Sequence, residues 1–287
     1  MTEVRRNLIT GEQILFAPDR AERPNAFSVG QTFLSGQCPF CPGNESLTPP
    51  EIARVGDPWR VRVFPNKYPA LDHHEVIVES PAHDATFDSI DAEEVVAMYL
   101  ARYRAMVSRS GVRAVMLFKN HGRAAGASIA HLHSQIAAMP FVPPRMTREA
   151  FGFAKANSCP LCGAISTHHV ADLVIDETAT MVRLAPHGST FAHQQWIVPK
   201  RHVNDVAALT EVEARDIASL LQRASAGMRK ISASHNWMFL GFPEVASAHC
   251  YVDVFPRVTN VAGFELGTGT FIDVVDPAAT ARILSER

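Results

Sequence analysis

Two imidazoles and a primary amide fall at every second position of HLHSQ, residues 131–135: His131, His133 and Gln135. A β-strand alternates its side chains between faces, so this spacing would bring all three to one face at intervals of about 7 Å. An unprotonated imidazole nitrogen can attack phosphorus and form a covalent intermediate. The other ring nitrogen then has to donate to a fixed acceptor that holds the tautomer. An amide donates hydrogen bonds without titrating, which suits Gln135 to the non-bridging oxygens of a phosphoryl group as charge shifts during transfer. Upstream, NHGRAAGAS at 120–128 adds Asn120 and Ser128 as donors, with glycines such as Gly126 that let backbone approach a phosphate closely. In isolation a solvent-facing polar strand and an ordinary Gly/Ala-rich turn would look the same.

Four of the five cysteines form two C-P-x-C clusters, Cys38/Cys41 and Cys159/Cys162, a spacing that suits metal ligation better than disulfides in a chain of this length. Later histidines complete two sets, Cys38, Cys41, His83 and His131, and Cys159, Cys162, His202 and His249. Each is enough for a closed Cys2His2 tetrahedron, with zinc the natural occupant of both and iron or no metal an alternative for the second. A closed shell leaves no position for an activated water, so these metals would position elements. With His131 tied to metal, His133 would be held in a fixed place. Cys250 reads as a small buried hydrophobe.

The elements that must position these groups are duplicated. Cys38 and Cys159 lie 121 residues apart, as do VRVFPNKYP at 61 and VRLAPHGST at 182; His83 and His202 differ by 119, and His131 and His249 by 118. Asp91-x-x-Glu94 opens an amphipathic helix through Val95, Tyr99, Tyr103 and Met106, closed by Gly111. Thr210-x-x-Glu213 opens its counterpart through Ile217, Leu220, Ala224 and Met228. Short β-branched and aromatic runs, among them WRVRVF, EVIVES, AVMLFKN, QWIVP and YVDVF, surround each helix. The fold class is therefore α+β, two tandem halves at 1–145 and 146–287, each a mainly antiparallel sheet with a packed helix, the proline-rich MPFVPPR at 139–145 marking the division. Only the first half keeps the reactive pattern, since Tyr251 stands at the place of His133 and Asp253 at that of Gln135.

The chain has 287 residues, 47% of them hydrophobic, which suffices for one large core or two ordinary ones. With 27 Lys and Arg against 29 Asp and Glu, no broad field favours nucleic acid or an anionic membrane, so an anionic ligand must be met locally. The first residues lack a signal-peptide apolar segment and no run of 18 apolar residues occurs, which makes a cytoplasmic protein the expectation.

On FAPDRAERP, CPFCPGNE, FPNKYPAL, VIVESPAH, GASIAHLHSQ, WIVPKRH and GFELGTG, the sequence resembles the galactose-1-phosphate uridylyltransferase family of the histidine-triad (HIT) superfamily, and in particular its ADP-glucose phosphorylase-like branch. The likeness spans nearly the whole chain and implies two HIT-like halves and a ping-pong nucleotidyl transfer. It implies that His133 becomes nucleotidylated, that His131 binds zinc, that Gln135 meets the phosphoryl group, that Ser128 and Asn120 meet phosphates, and that Asn66 meets the nucleotide. Arg20 and Arg23 match the family's phosphate-binding arginines, which can come from the partner in a homodimer. Phe264 and Glu265, in AGFELGTGTF, match a segment facing the second substrate in the adenylyl branch, against galactose as acceptor. The implied reaction takes the nucleoside monophosphate of a nucleotide sugar, ADP-glucose above others, and passes it to phosphate or a sugar phosphate. The alternatives are a diadenosine polyphosphate phosphorylase, a HIT-type nucleotide hydrolase and a non-enzymatic zinc-stabilised binding module. An amide at 135 opposes the simple hydrolase, because it cannot protonate a leaving group.

Overall fold

A computed structural model describes residues 3–11, 13–16, 38–166 and 172–285. Five strands of the first half are β3 (Ala53–Val55), β4 (Val61–Pro65), β5 (His73–Val78), β6 (Ala114–His121) and β7 (His133–Met139). Their counterparts are β8 (Val174–Glu177), β9 (Met181–Leu184), β10 (Gln195–Pro199), β11 (His235–Leu240) and β12 (Tyr251–Pro256). All ten lie in one sheet of order β3-β4-β5-β7-β6-β11-β12-β10-β9-β8, so the halves mirror each other across the β6/β11 pair. Every neighbouring pair in this sheet is antiparallel. The seam runs from His235↔His121 to Phe239↔Leu117. It pairs the edge strand that each half would otherwise expose.

Helix α1 (Ala92–Val107) begins at Asp91, whose carboxylate accepts from the backbone N–H groups of Glu93 and Glu94. Helix α4 (Glu211–Arg229) begins at Thr210 with Glu213 closing a capping box. The apolar positions expected to face inward do so: Val95, Tyr99, Tyr103, Met106, Ile217, Leu220, Ala224 and Met228 are each at most 2% exposed. They fill one core with Val63, Ile77, Leu117, Ile136, Trp237 and Val254 of the sheet. Helix α1 stops at Val107, short of Gly111, which instead takes a φ of 78° in the turn toward β6.

The proline-rich stretch ends in a helix. Pro143 is the N-cap of α2 (Pro144–Lys155), where Pro144 at the first position fits because that N–H has no intrahelical partner. Met146 and Phe153 of α2 share a core cluster with Leu161, Trp196 and Tyr251 of the second half and with Ala114 and Met139 of the first. Helix α3 (Pro160–Ser166) carries Cys162. A small sheet of β1 (Glu3–Arg6), β2 (Gln13–Phe16) and β13 (Ile272–Asp273), with α5 (Gly263–Thr268) and α6 (Pro277–Ser285), completes the described chain. Among the described residues no helix is long and apolar enough to cross a membrane.

Candidate active site and metal centres

Strand β7 separates the core side of the sheet from the cleft side. Leu132, Ile136 and Ala138 enter the core beneath α1 and α4. The hydroxyl of Ser134 points the same way, 2.6 Å from that of Tyr99. By alternation His133 and Gln135 project from the opposite face. One expectation needs correction: β7 begins at His133, so His131 sits just before the strand rather than in it. Its ring nevertheless stays beside that of His133. Phe40 packs edge-on against both, with centroids 6.1 Å from His131 and 5.2 Å from His133.

Both predicted metal sets are assembled. The ligand atoms of Cys38, Cys41, His83 and His131 lie within 4.8 Å of one another, as do those of Cys159, Cys162, His202 and His249. In the first set Nδ1 of His131 is 3.6 Å from each sulfur, and Nδ1 of His83 is 3.3 Å from the sulfur of Cys41. In the second, Nδ1 of His249 is 3.6 and 3.5 Å from the sulfurs of Cys159 and Cys162, and Nδ1 of His202 is 3.3 Å from that of Cys162. Tetrahedral zinc with ordinary bond lengths would set sulfur and nitrogen about 3.5 Å apart. The outer ring nitrogens give an independent test of fit. Nε2 of His131 donates to the carbonyl of Ser80 at 2.7 Å, Nε2 of His202 to that of Ala246 at 2.8 Å, and Nε2 of His249 to that of Pro199 at 3.0 Å. With the proton on Nε2, each Nδ1 offers a lone pair to the cluster. Burial also pushes His131 below its ordinary pKa and His249 down to about 4, both toward the neutral form a ligand needs.

His133 lines a cleft of about 400 Å³ with Gln135, Ser128 and Asn66. Phe40, Phe64, Val76 and Leu47 supply apolar walls, and Tyr68 and Lys67 stand at the rim. Nδ1 of His133 donates to the carbonyl of His131 at 2.7 Å, so the nitrogen left for chemistry is Nε2. Burial takes the His133 pKa down to about 4 and leaves the ring neutral. Beneath His133, Nζ of Lys119 donates to the His133 carbonyl at 3.0 Å and pairs with Glu79.

Asn120 and Gly126 meet one another beside this cleft without lining it. Asn120 lies two residues along β6 from Phe118, the cross-strand partner of Gln135, and hence on the same face. A Cβ added to Gly126, whose φ is 89°, would sit 3.8 Å from Nδ2 of Asn120. Phe264 and Glu265 are elsewhere: Phe264 is half exposed on α5, and Glu265 accepts from the backbone N–H of Ala262 at the start of that helix. Arg20 and Arg23 lie outside the described residues.

Two neighbours of the site went unread in the sequence. Nε2 of His74 reaches Oε1 of Gln135 at 2.9 Å. Asn236, from β11 in the other half, donates through Nδ2 to the carbonyl of Ala125 at 3.0 Å and to Oδ1 of Asn120 at 2.8 Å. Their signal lies in strand register, which pairing alone determines. Among the described residues, the corresponding cleft in the second half is lined by no imidazole. Asp253 accepts from Arg145 at 2.6 Å and Gln194 at 2.7 Å, and the Tyr251 hydroxyl donates to Glu149 at 2.9 Å.

Known proteins resemble this chain over nearly its whole length. A family described as a domain of unknown function (DUF4921) matches residues 86–286, and the N-terminal domain of another (DUF4931) matches residues 23–142. The chain is 31% identical to an ADP-glucose phosphorylase of Arabidopsis thaliana, over 99% of this chain and 92% of that one. It is 26% identical to a galactose-1-phosphate uridylyltransferase of Thermotoga maritima, over 100% and 98% of the respective chains. A crystal structure of an Arabidopsis thaliana ADP-glucose phosphorylase with bound ADP-glucose superposes with a TM-score of 0.88 at 31% identity, over 100% of this chain and 99% of that one. Fold, site and likeness define an enzyme of the nucleotidyltransferase class. The chain belongs to the galactose-1-phosphate uridylyltransferase family of the HIT superfamily and is similar to its ADP-glucose phosphorylase branch.

Proposed function

We propose that the protein is a nucleotide-sugar phosphorylase that takes AMP from ADP-glucose onto His133 and delivers it to inorganic phosphate. The observation that supports this reading best is the hydrogen bond from Nδ1 of His133 to the His131 carbonyl, which leaves the Nε2 lone pair available in a cleft that Gln135 also lines. In the first half-reaction the Nε2 lone pair attacks the phosphorus bonded to adenosine. An N–P bond forms, the bond from that phosphorus to the bridging oxygen breaks, and glucose 1-phosphate leaves with the electron pair. In the second, a phosphate oxygen attacks the same phosphorus, the N–P bond breaks, and ADP departs from a regenerated neutral imidazole. Gln135 donates to the phosphoryl oxygens, with Ser128 and Asn120 on neighbouring phosphates and Asn66 at the nucleotide. Arg20 and Arg23 are assigned to phosphate and Phe264 and Glu265 to the second substrate, in a homodimer that sedimentation equilibrium checks. Zinc in both Cys2His2 sets would be structural, because four protein ligands leave no open position.

Incubation with ADP-glucose radiolabelled at the adenosine-linked phosphorus should leave acid-labile AMP on the protein. Phosphate should discharge it as ADP, and UDP-glucose should label poorly. His133→Ala should abolish labelling while both metals stay bound; a labelled variant would remove the nucleophile from this scheme. His131→Ala should lower zinc from two equivalents toward one, since its loss strands two thiolates. An unchanged zinc content by atomic absorption would overturn that ligand assignment.

A further inference from the structure

The Gln135 amide can turn either end toward the cleft, and only its NH2 end can donate to a phosphoryl oxygen. Neighbouring donors decide between the two. The backbone N–H of Ala70 lies 3.2 Å from Nδ1 of His74, so that nitrogen accepts and the ring proton sits on Nε2. Nε2 of His74 then donates to Oε1 of Gln135 at 2.9 Å. Asn66 is fixed in the same way. Its Oδ1 accepts from the backbone N–H of Tyr68 at 2.9 Å, which makes Nδ2 the end that donates to Oε1 of Gln135 at 3.2 Å. The two donors converge on one oxygen, 3.4 Å apart. The Gln135 Nε2 group is left as the end free to serve the cleft.

We propose that His74 is a positioning residue: its Nε2–H holds the Gln135 amide in the orientation that donates to the phosphoryl group during transfer. This rests on the assignment of His133 as nucleophile and Gln135 as donor. Were the amide turned about, its carbonyl would face the anionic oxygens and repel them. His74 suits the task because it stands behind the cleft lining with both ring nitrogens already engaged. It sits at the second position of β5, 9% exposed, with the cross-strand neighbour of Gln135, Val76, next on the same face. Burial lowers its pKa and keeps the ring neutral, so Nδ1 stays available to the Ala70 N–H.

Single-turnover labelling with radiolabelled ADP-glucose separates this role from a merely structural one. His74→Phe keeps the ring's bulk without the donor, whereas His74→Gln can offer an NH2 near the same place. The first should slow labelling on the order of 10- to 100-fold with little change in the ADP-glucose concentration at half-maximal rate. The second should recover most of the rate. In a Gln135→Ala background, His74→Phe should cost little more, because the group it positions is gone. Wild-type labelling by His74→Phe, equal losses in both His74 variants, or fully additive losses in the double variant would overturn the proposal. Failure of the underlying reading would show separately, as labelling that survives His133→Ala or is unchanged by Gln135→Ala.

Discussion

Beneath His133 lies a buried ion pair that ties strand β7 to the helical layer. The ammonium of Lys119 and the carboxylate of Glu79 are both fully buried. Glu79 also accepts from Tyr99 and, at 2.5 Å, from Ser134. Burial pulls the Lys119 pKa down while Glu79 opposes that pull. A pair of this kind is costly to break on one side, because the remaining charge is left without a partner. Lys119→Ala should therefore destabilise the protein by about 3–5 kcal/mol in denaturant unfolding. Lys119→Met with Glu79→Gln should recover much of that loss, and no recovery would mean the pair's contribution lies elsewhere. The HLHSQ and C-P-x-C residues were legible from residue type and offset. Lys119 and Glu79 were not, because a lysine in AVMLFKN reads as a strand end, and its burial depends on Phe87 and Trp237 closing over it.

At the scale of elements, periodicity disclosed α1 and α4, and the apolar residues named for them are the core. Helix α2 was missed because three prolines in MPFVPPR read as a break. Its signal was nevertheless present in Met146, Ala150 and Phe153, spaced by four and three residues. The small sheet was equally silent, since β13 contributes only two residues. One of them carries a testable consequence. Burial pushes the Asp273 carboxyl up to about 7, opposed by backbone N–H groups of Val275 and Val274 and by Arg5. The folded state then holds a proton that the unfolded chain releases at about pH 4. Stability from this group is fully present below that pH and is lost as pH rises through about 7. Asp273→Asn should flatten this slope and raise Tm at pH 8 by roughly 2–4 °C per kcal/mol regained. An unchanged Tm difference between pH 5 and pH 8 would count against it.

For the molecule as a whole, a repeat of some 120 residues announced two halves but not the seam between them. Edge pairing leaves no period in a sequence, and the β6/β11 junction became visible only as register. The halves share more than that junction. Arg104 on α1 donates to the Leu209 carbonyl at 2.6 Å, Gln222 on α4 donates to the Ile90 carbonyl at 2.9 Å, and a single core lies beneath both helices. Residues 1–145 expressed alone should consequently fail to fold cooperatively, with β6 bare along one edge and α1 without its neighbour. A sharp unfolding transition from that fragment would show the first half to be self-sufficient.

The Asn236 contact gives the seam a further meaning. Because the second half lends a side chain that steadies Asn120, the surroundings of the HLHSQ cleft depend on a strand that carries none of the chemistry proposed for it. Tolerance in such a chain cannot be parcelled out by half: crippling substitutions should scatter along β11 as well as around HLHSQ, and the pair of Arg145 with the fully buried Asp253 should resist change too.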